Sequence, residues 1–221
     1  MPEIARPGRP ALQNAQDACE NIVRSACLHF AQHGIKGSSN RQIAADAKVT
    51  AAMVHYYFKR KDDLHLAVLH STFDPLVSAV AAATELEDWV MAFHAHVSAR
   101  LWMPHLMIRE VLAQNGQLRA LFMKHFAPKL FGSIRELVEQ EVKTRKASKQ
   151  LDVDRHVVLL MGMLVYPFLG LEIAQNLTGR KFDRKMLDGF RDDALRLFRR
   201  GIAAQAGNSR KQESRVSGSI A

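Results

Sequence analysis

The chain has 221 residues, 48% of them hydrophobic, with 31 Lys and Arg against 22 Asp and Glu and a formal charge of +9. That size and balance support one or two small domains around a buried core, and exclude wholesale disorder, a collagen-like repeat and a disulfide-dense mini-fold. The positive excess points to a polyanionic partner, so its placement along the chain matters more than its sum.

Residues 1–15, with Pro2, Pro7, Gly8 and Pro10 around Arg6 and Arg9, carry no regular periodicity and read as a flexible basic arm. From Asp17 the pattern changes: Cys19, Ile22, Val23, Ala26, Cys27 and Phe30 recur at helical spacing up to a stop signal at Gly34. Cys19 and Cys27 on one helix are separated by about 12 Å of rise, beyond disulfide reach. Without a signal-like charged and apolar start after Met1, the expected compartment is the reducing cytoplasm. Ser39 and Gln42 have the spacing of a capping box and open a short helix that buries Ile43, Ala44 and Ala47. Thr50 caps a third short helix carrying Met53, Val54, Tyr57 and Phe58. Asp62 and Asp63 suit the N-terminal end of a longer helix over 62–82, in which Pro75 predicts a bend.

Beyond Ala83, apolar-periodic segments cover roughly 85–101, 103–114, 117–146, 153–178 and 184–205, broken at Pro104, Gly116, 146–149 and 179–180. No strand or hairpin signal interrupts them. The expected fold is therefore all-α with about nine helices. It is expected to divide into a three-helix head over 16–62 and a larger helical domain over 63–205. A small, polar tail over 206–221 is expected to be disordered.

Three short helices, the second and third joined by a tight turn, form the arrangement that presents a helix to the DNA major groove. The stretches Ser39-Asn40-Arg41-Gln42-Ile43-Ala44, Ala47-Lys48-Val49-Thr50 and His55-Tyr56-Tyr57-Phe58-Lys59-Arg60-Lys61-Asp62-Asp63-Leu64 resemble the TetR/AcrR family of transcriptional regulators. The likeness covers residues 17–70. Two positions depart from the family pattern. Lys48 stands where the turn usually has Gly, at a cost of roughly 1 kcal/mol if the backbone there needs positive φ. His55 stands where Tyr often precedes the aromatic pair.

Thr50, Ala51, Ala52 and His55 fall at the start or exposed side of the third helix, where small side chains allow close approach and an imidazole can meet a base edge. Ser39, Arg41, Tyr56, Lys59 and Lys61 are placed to anchor phosphates, and Arg6 and Arg9 to enter an adjacent minor groove. Plainer readings exist: the 59–61 run as a solvated loop, the arginines of the arm as solubilising charge.

Residues 155–177 are apolar around too much of a helix to pack on one side only, and 184–205 supply a second such surface. Two helices from each subunit would form a four-helix homodimer interface over about 155–205, which is how the resemblance implies the family pairs. A twofold dimer implies a pseudo-palindromic double-stranded DNA operator. The resemblance also implies a pocket for a small-molecule effector, mostly apolar with one or two polar groups. Trp89, Phe93, His96, Trp102, Met107, Glu110, Met163 and Tyr166 are its candidate lining, with ordinary core packing as the alternative. A repressor released by its effector is the expectation, with an activator or a metal-responsive regulator as alternatives.

No cofactor is expected. His29 and His33 lie one helical turn apart but lack the Glu of a metalloprotease motif and a third ligand, and no nucleotide-binding or nucleophile motif occurs, so neither catalytic residues nor a metal set is assigned. The longest uncharged apolar run, 157–171, is too short for a bilayer and contains Pro167. Basic residues do not form one amphipathic face, so no membrane partner is expected.

Overall fold

A computed structural model describes residues 12–144 and 151–217. Among these, eleven α-helices and one π-helical turn account for all regular structure. The first four are α1 (Leu12–His33), α2 (Asn40–Asp46), α3 (Ala51–Tyr57) and α4 (Lys61–Ala81). α5 (Leu86–Ser98) leads into α6 (Met103–Leu106), which continues as the π-helical turn π1 (Met107–Leu112). The rest are α7 (Arg119–His125), α8 (Ala127–Thr144), α9 (Val153–Leu169), α10 (Leu171–Thr178) and α11 (Arg184–Ser217).

The all-α expectation holds, but the count is eleven α-helices where about nine are expected. The 117–146 segment is two helices, because the chain turns at Phe126, whose ring packs on Phe73 and His70 at 5.5 and 5.2 Å. Pro128 then sits in the first turn of α8, where a missing N–H costs nothing. The 153–178 segment breaks at Gly170 into α9 and α10, which are bent by 73°. α4 runs as one helix through Pro75. α1 begins at Leu12, inside the stretch assigned to the basic arm, and α11 continues to Ser217, well into the expected tail. Arg210, Lys211, Gln212 and Glu213 are good helix formers, whereas Gly207, Asn208 and Ser209 before them are not. Arg6 and Arg9 lie outside the described residues, as do 218–221.

A single contiguous core runs from Ile22 on α1 to Ile202 on α11. α1 buries Ile22, Ala26, Cys27 and Phe30 against α2 and α4, and α4 passes on to pack against α5 and α8. α4 is long and apolar enough to span a bilayer by length and composition, yet Val68, Leu69, Phe73 and Leu76 are buried within the bundle. α11 is clamped to two helices at once: Arg199 reaches Glu141 on α8 at 2.7 Å and Glu87 on α5 at 3.0 Å. His94 Nε2 meets the Leu187 carbonyl at 3.0 Å, a second tie between α5 and α11.

Candidate nucleic-acid interface

The head is fixed by local chemistry that the sequence spells out. Gln42 N–H donates to Ser39 Oγ at 3.2 Å and Ser39 N–H donates to Gln42 Oε1 at 3.0 Å, completing the capping box at the start of α2. Met53 N–H donates to Thr50 Oγ1 at 3.3 Å, capping α3. Between them, Lys48 has φ 58°, with Lys48 N–H donating to Ala45 O at 3.1 Å and Val49 N–H to Ala44 O at 2.9 Å. That pair of bonds is a Schellman turn with Lys at the left-handed position glycine usually fills. The turn therefore needs positive φ, and Lys48 carries the strain.

α2 is tied back to α1 at its middle and at its C-terminal end. Ser25 Oγ donates to the Ile43 carbonyl at 3.0 Å in the core, and His29 Nε2 lies 2.6 Å from Asp46 Oδ2. Neither link was assigned from the sequence, since residues 17 or 18 apart leave no local pattern. Val54 anchors α3 from beneath at 1% exposure, with Tyr57 and Phe58 packed beside it.

The opposite side of α3 faces solvent. Ala52, His55 and Tyr56 are exposed, and Tyr56 reaches 69% while its ring stands edge-on to Tyr57 at 5.4 Å. Thr50, Ser39, Arg41, Lys59 and Lys61 are exposed as well, and Ala51 is half-buried. Thr50, Ala51, Ala52, His55, Tyr56 and Lys59 thus follow one another through the turn, α3 and the following loop, with Ser39 and Arg41 at the start of α2 and Lys61 at the start of α4. Asp63 Oδ2 accepts from Arg60 N–H at 2.9 Å, fixing where that loop becomes α4.

The candidate effector residues fall in four places. Trp89 and Phe93 stack at 5.2 Å in the body core, and the Trp89 indole N–H donates to Ser133 Oγ at 2.9 Å. His96 is buried with Nε2 at 2.8 Å from the Thr72 carbonyl, so this nitrogen is the donor and Nδ1 is left to accept from Arg100 at 3.2 Å. Burial, then the neighbouring guanidinium, hold its pKa below the ordinary histidine value. Trp102 stands half-buried at the start of α6, near this pair.

Met107 and Glu110 belong to π1. Glu110 is a buried carboxylate, but backbone donors already occupy it: Ile35 N–H at 2.8 Å and Gln117 N–H at 3.3 Å. Met163 and Tyr166 lie on the outer side of α9, where Tyr166 is 66% exposed, along an open groove of about 530 Å³ shared with Leu159, Phe190 and Leu197. They were expected to line an interior pocket. The helical periodicity that assigned them is satisfied equally by a face awaiting a partner helix. Among the described residues no group of three His, Cys, Asp or Glu is arranged to hold a metal.

A capped helix-turn-helix with an exposed recognition helix, carried on an all-helical body, defines a DNA-binding regulator. Comparison with known proteins agrees. Residues 22–68 match the family model described as bacterial regulatory proteins, tetR family. The chain is 22% identical over 160 residues to the probable HTH-type transcriptional regulator YttP of Bacillus subtilis, covering 68% of this chain and 76% of that one. It is 30% identical over 78 residues to the HTH-type transcriptional repressor SCO4008 of Streptomyces coelicolor, covering 34% and 41%. The solved structure of the fatty acid degradation regulator FadR from Bacillus halodurans has the same fold, with a TM-score of 0.64 and 17% identity over 82% of this chain and 97% of that one. Residues 22–68 thus carry the helix-turn-helix region of the tetR family of bacterial regulatory proteins, and the chain is similar over 68% of its length to a transcriptional regulator.

Proposed function

We propose that the protein is a cytoplasmic homodimeric repressor that binds a pseudo-palindromic operator and is released by a small, mostly apolar effector. The observation that carries this reading is the pair of faces the fold leaves open: basic and aromatic on α3 and its flanks, apolar on α9 and α11. On the latter, Val158, Leu159, Tyr166 and Leu197 are each more than half exposed. So large an apolar surface on a water-facing helix pair is what a self-complementary twofold interface requires. One head offers too few base contacts for a specific site, and a dimer doubles them at fixed spacing.

The coupling follows from which elements touch. α6 and π1 pack against α1, and α4 joins the head to α5 and α8. An effector among the helices over 85–175 that displaces α6 and π1 moves the head through α1 and α4, and the two heads change spacing on the operator. Substitution Leu159→Asp tests the dimer. The expected result is a monomer by sedimentation with intact helicity and at least tenfold weaker operator binding. An unchanged dimer contradicts the placement of the interface on α9 and α11.

A further inference from the structure

Beside the head, an open groove of about 510 Å³ lies between α1, α4 and the turn joining α5 to α6. Its apolar wall is Val23, Leu28, Ala67 and Trp102, and two guanidinium groups, Arg24 and Arg100, face it. Among the described residues neither guanidinium pairs with a carboxylate. Arg24 donates to the neutral Asn21 Oδ1 at 2.6 Å, and half-buried Arg100 donates to His96 Nδ1 at 3.2 Å and to the His96 carbonyl at 3.4 Å. Glu20 also borders the groove and accepts from Gln16 at 3.2 Å.

The position of Arg100 is not accidental to its surroundings. A polar thread runs beneath the groove: Cys27 Sγ lies 3.9 Å from Thr72 Oγ1, the Thr72 carbonyl accepts from His96 Nε2, and His96 Nδ1 accepts from Arg100. His96 therefore presents a lone pair to Arg100, which holds one end of the guanidinium, and among the described residues no side chain accepts from its other N–H groups. A half-buried cation with a neutral partner carries an uncompensated desolvation cost, which an anion relieves. The fork of Arg matches a carboxylate in two parallel hydrogen bonds.

We propose that this groove binds a small monocarboxylate with a compact apolar body. Its carboxylate sits on Arg100 and Arg24, and its body lies against Trp102, Val23 and Leu28. Because the walls come from α1 on one side and from α4 and the α5–α6 turn on the other, an occupant touches head and body together. The site is read by binding alone, without DNA, so its failure and the failure of the repressor reading are separable.

The test uses the full chain and octanoate. The chain has two tryptophans, and Trp89 is 1% exposed whereas Trp102 borders the groove, so octanoate is expected to change Trp102 fluorescence saturably. The change should vanish in Trp102→Phe. Octan-1-ol, of the same length without charge, should bind at least tenfold more weakly, and inorganic phosphate, charged without an apolar body, should not compete. Arg100→Ala should weaken octanoate at least tenfold. Since that variant also removes the partner of His96, Leu28→Asp is the second arm: it places a carboxylate on the exposed wall without touching the core, and should weaken octanoate equally. Equal affinity for octan-1-ol, competition by phosphate, a signal that survives Trp102→Phe, or undiminished binding to Leu28→Asp would each overturn the proposal.

Discussion

The carboxylate of Glu110, on the π-helical turn of the body, accepts a hydrogen bond from the backbone N–H of Ile35, in the loop between α1 and α2 of the head, at 2.8 Å. Gly34 makes room for it. A Cβ at that position would come within 3.0 Å of Glu110 Oε1, and the residue is already at φ +71°. The same glutamate accepts Gln117 N–H with its other oxygen and Leu118 N–H with its carbonyl at 2.9 Å. A π-turn adds a residue to a helix and redirects side chains locally. Here it accompanies a buried carboxyl group aimed at the head.

Removing that carboxylate leaves two backbone donors without their acceptor. Glu110→Ala is expected to lower unfolding stability by about 2–4 kcal/mol, while Glu110→Gln, which keeps one acceptor oxygen, loses about half as much. Urea unfolding of the full chain measures both. Equal stability of all three proteins would show that the link between π1 and the loop contributes nothing.

Lys48 is the second place where a single residue departs from what its backbone asks. Left-handed φ costs a side chain about 1–2 kcal/mol, of which glycine's larger unfolded entropy takes back part. Lys48→Gly should therefore raise stability by about 0.5–1 kcal/mol, which for a chain of this size moves the melting temperature up by about 1–4 °C. A lower melting temperature would mean that Lys48 has a stabilising contact outweighing its strain.

Three buried histidines contribute to the response to acid. Burial is the largest cause holding the pKa of His65, His94 and His96 below the ordinary value, and for His94 and His96 a neighbouring arginine adds to it. A histidine depressed in the folded state binds its proton more readily when unfolded. Stability is therefore level above the unfolded pKa of about 6.5 and falls as pH drops below it. Urea midpoints at pH 7.5 and 5.5 should differ, with the lower at pH 5.5. His96→Gln should reduce the difference, and a midpoint that does not move with pH would contradict the neutral assignment.

On the DNA face, two exposed residues separate positioning from reading. Lys61→Ala should weaken binding to every duplex alike and reduce the slope of log affinity against log salt by about one. His55→Ala should change the preference among operator variants. A uniform loss in the second variant would return His55 to the phosphate contacts.

Much of the head is legible in the sequence because its signals are local. Ser39 with Gln42, Thr50, and the Asp62–Asp63 pair each act within one turn of helix, and the structure satisfies all three. The body is less legible because its partners are distant. Glu110 stands out as a charge inside an apolar stretch, but nothing in the sequence says that its acceptor capacity is used by Ile35, 75 positions away. Periodicity marks Met163 and Tyr166 as apolar-facing and does not distinguish a pocket from a partner helix. The break at Phe126 had a signal in Pro128, whereas π1 has none, since an i to i+5 turn uses the same residue types as an ordinary helix.

The central claim, that the exposed face of α3 on a twofold dimer recognises a defined operator, is tested most directly by selecting genomic fragments with the full chain near physiological salt and footprinting those recovered. The account predicts a palindromic footprint, with protection centred one helical turn of DNA apart in its two halves, and its loss in Leu159→Asp. Recovery of fragments without a shared sequence, or protection of a single unpaired half-site by the unaltered protein, would contradict it.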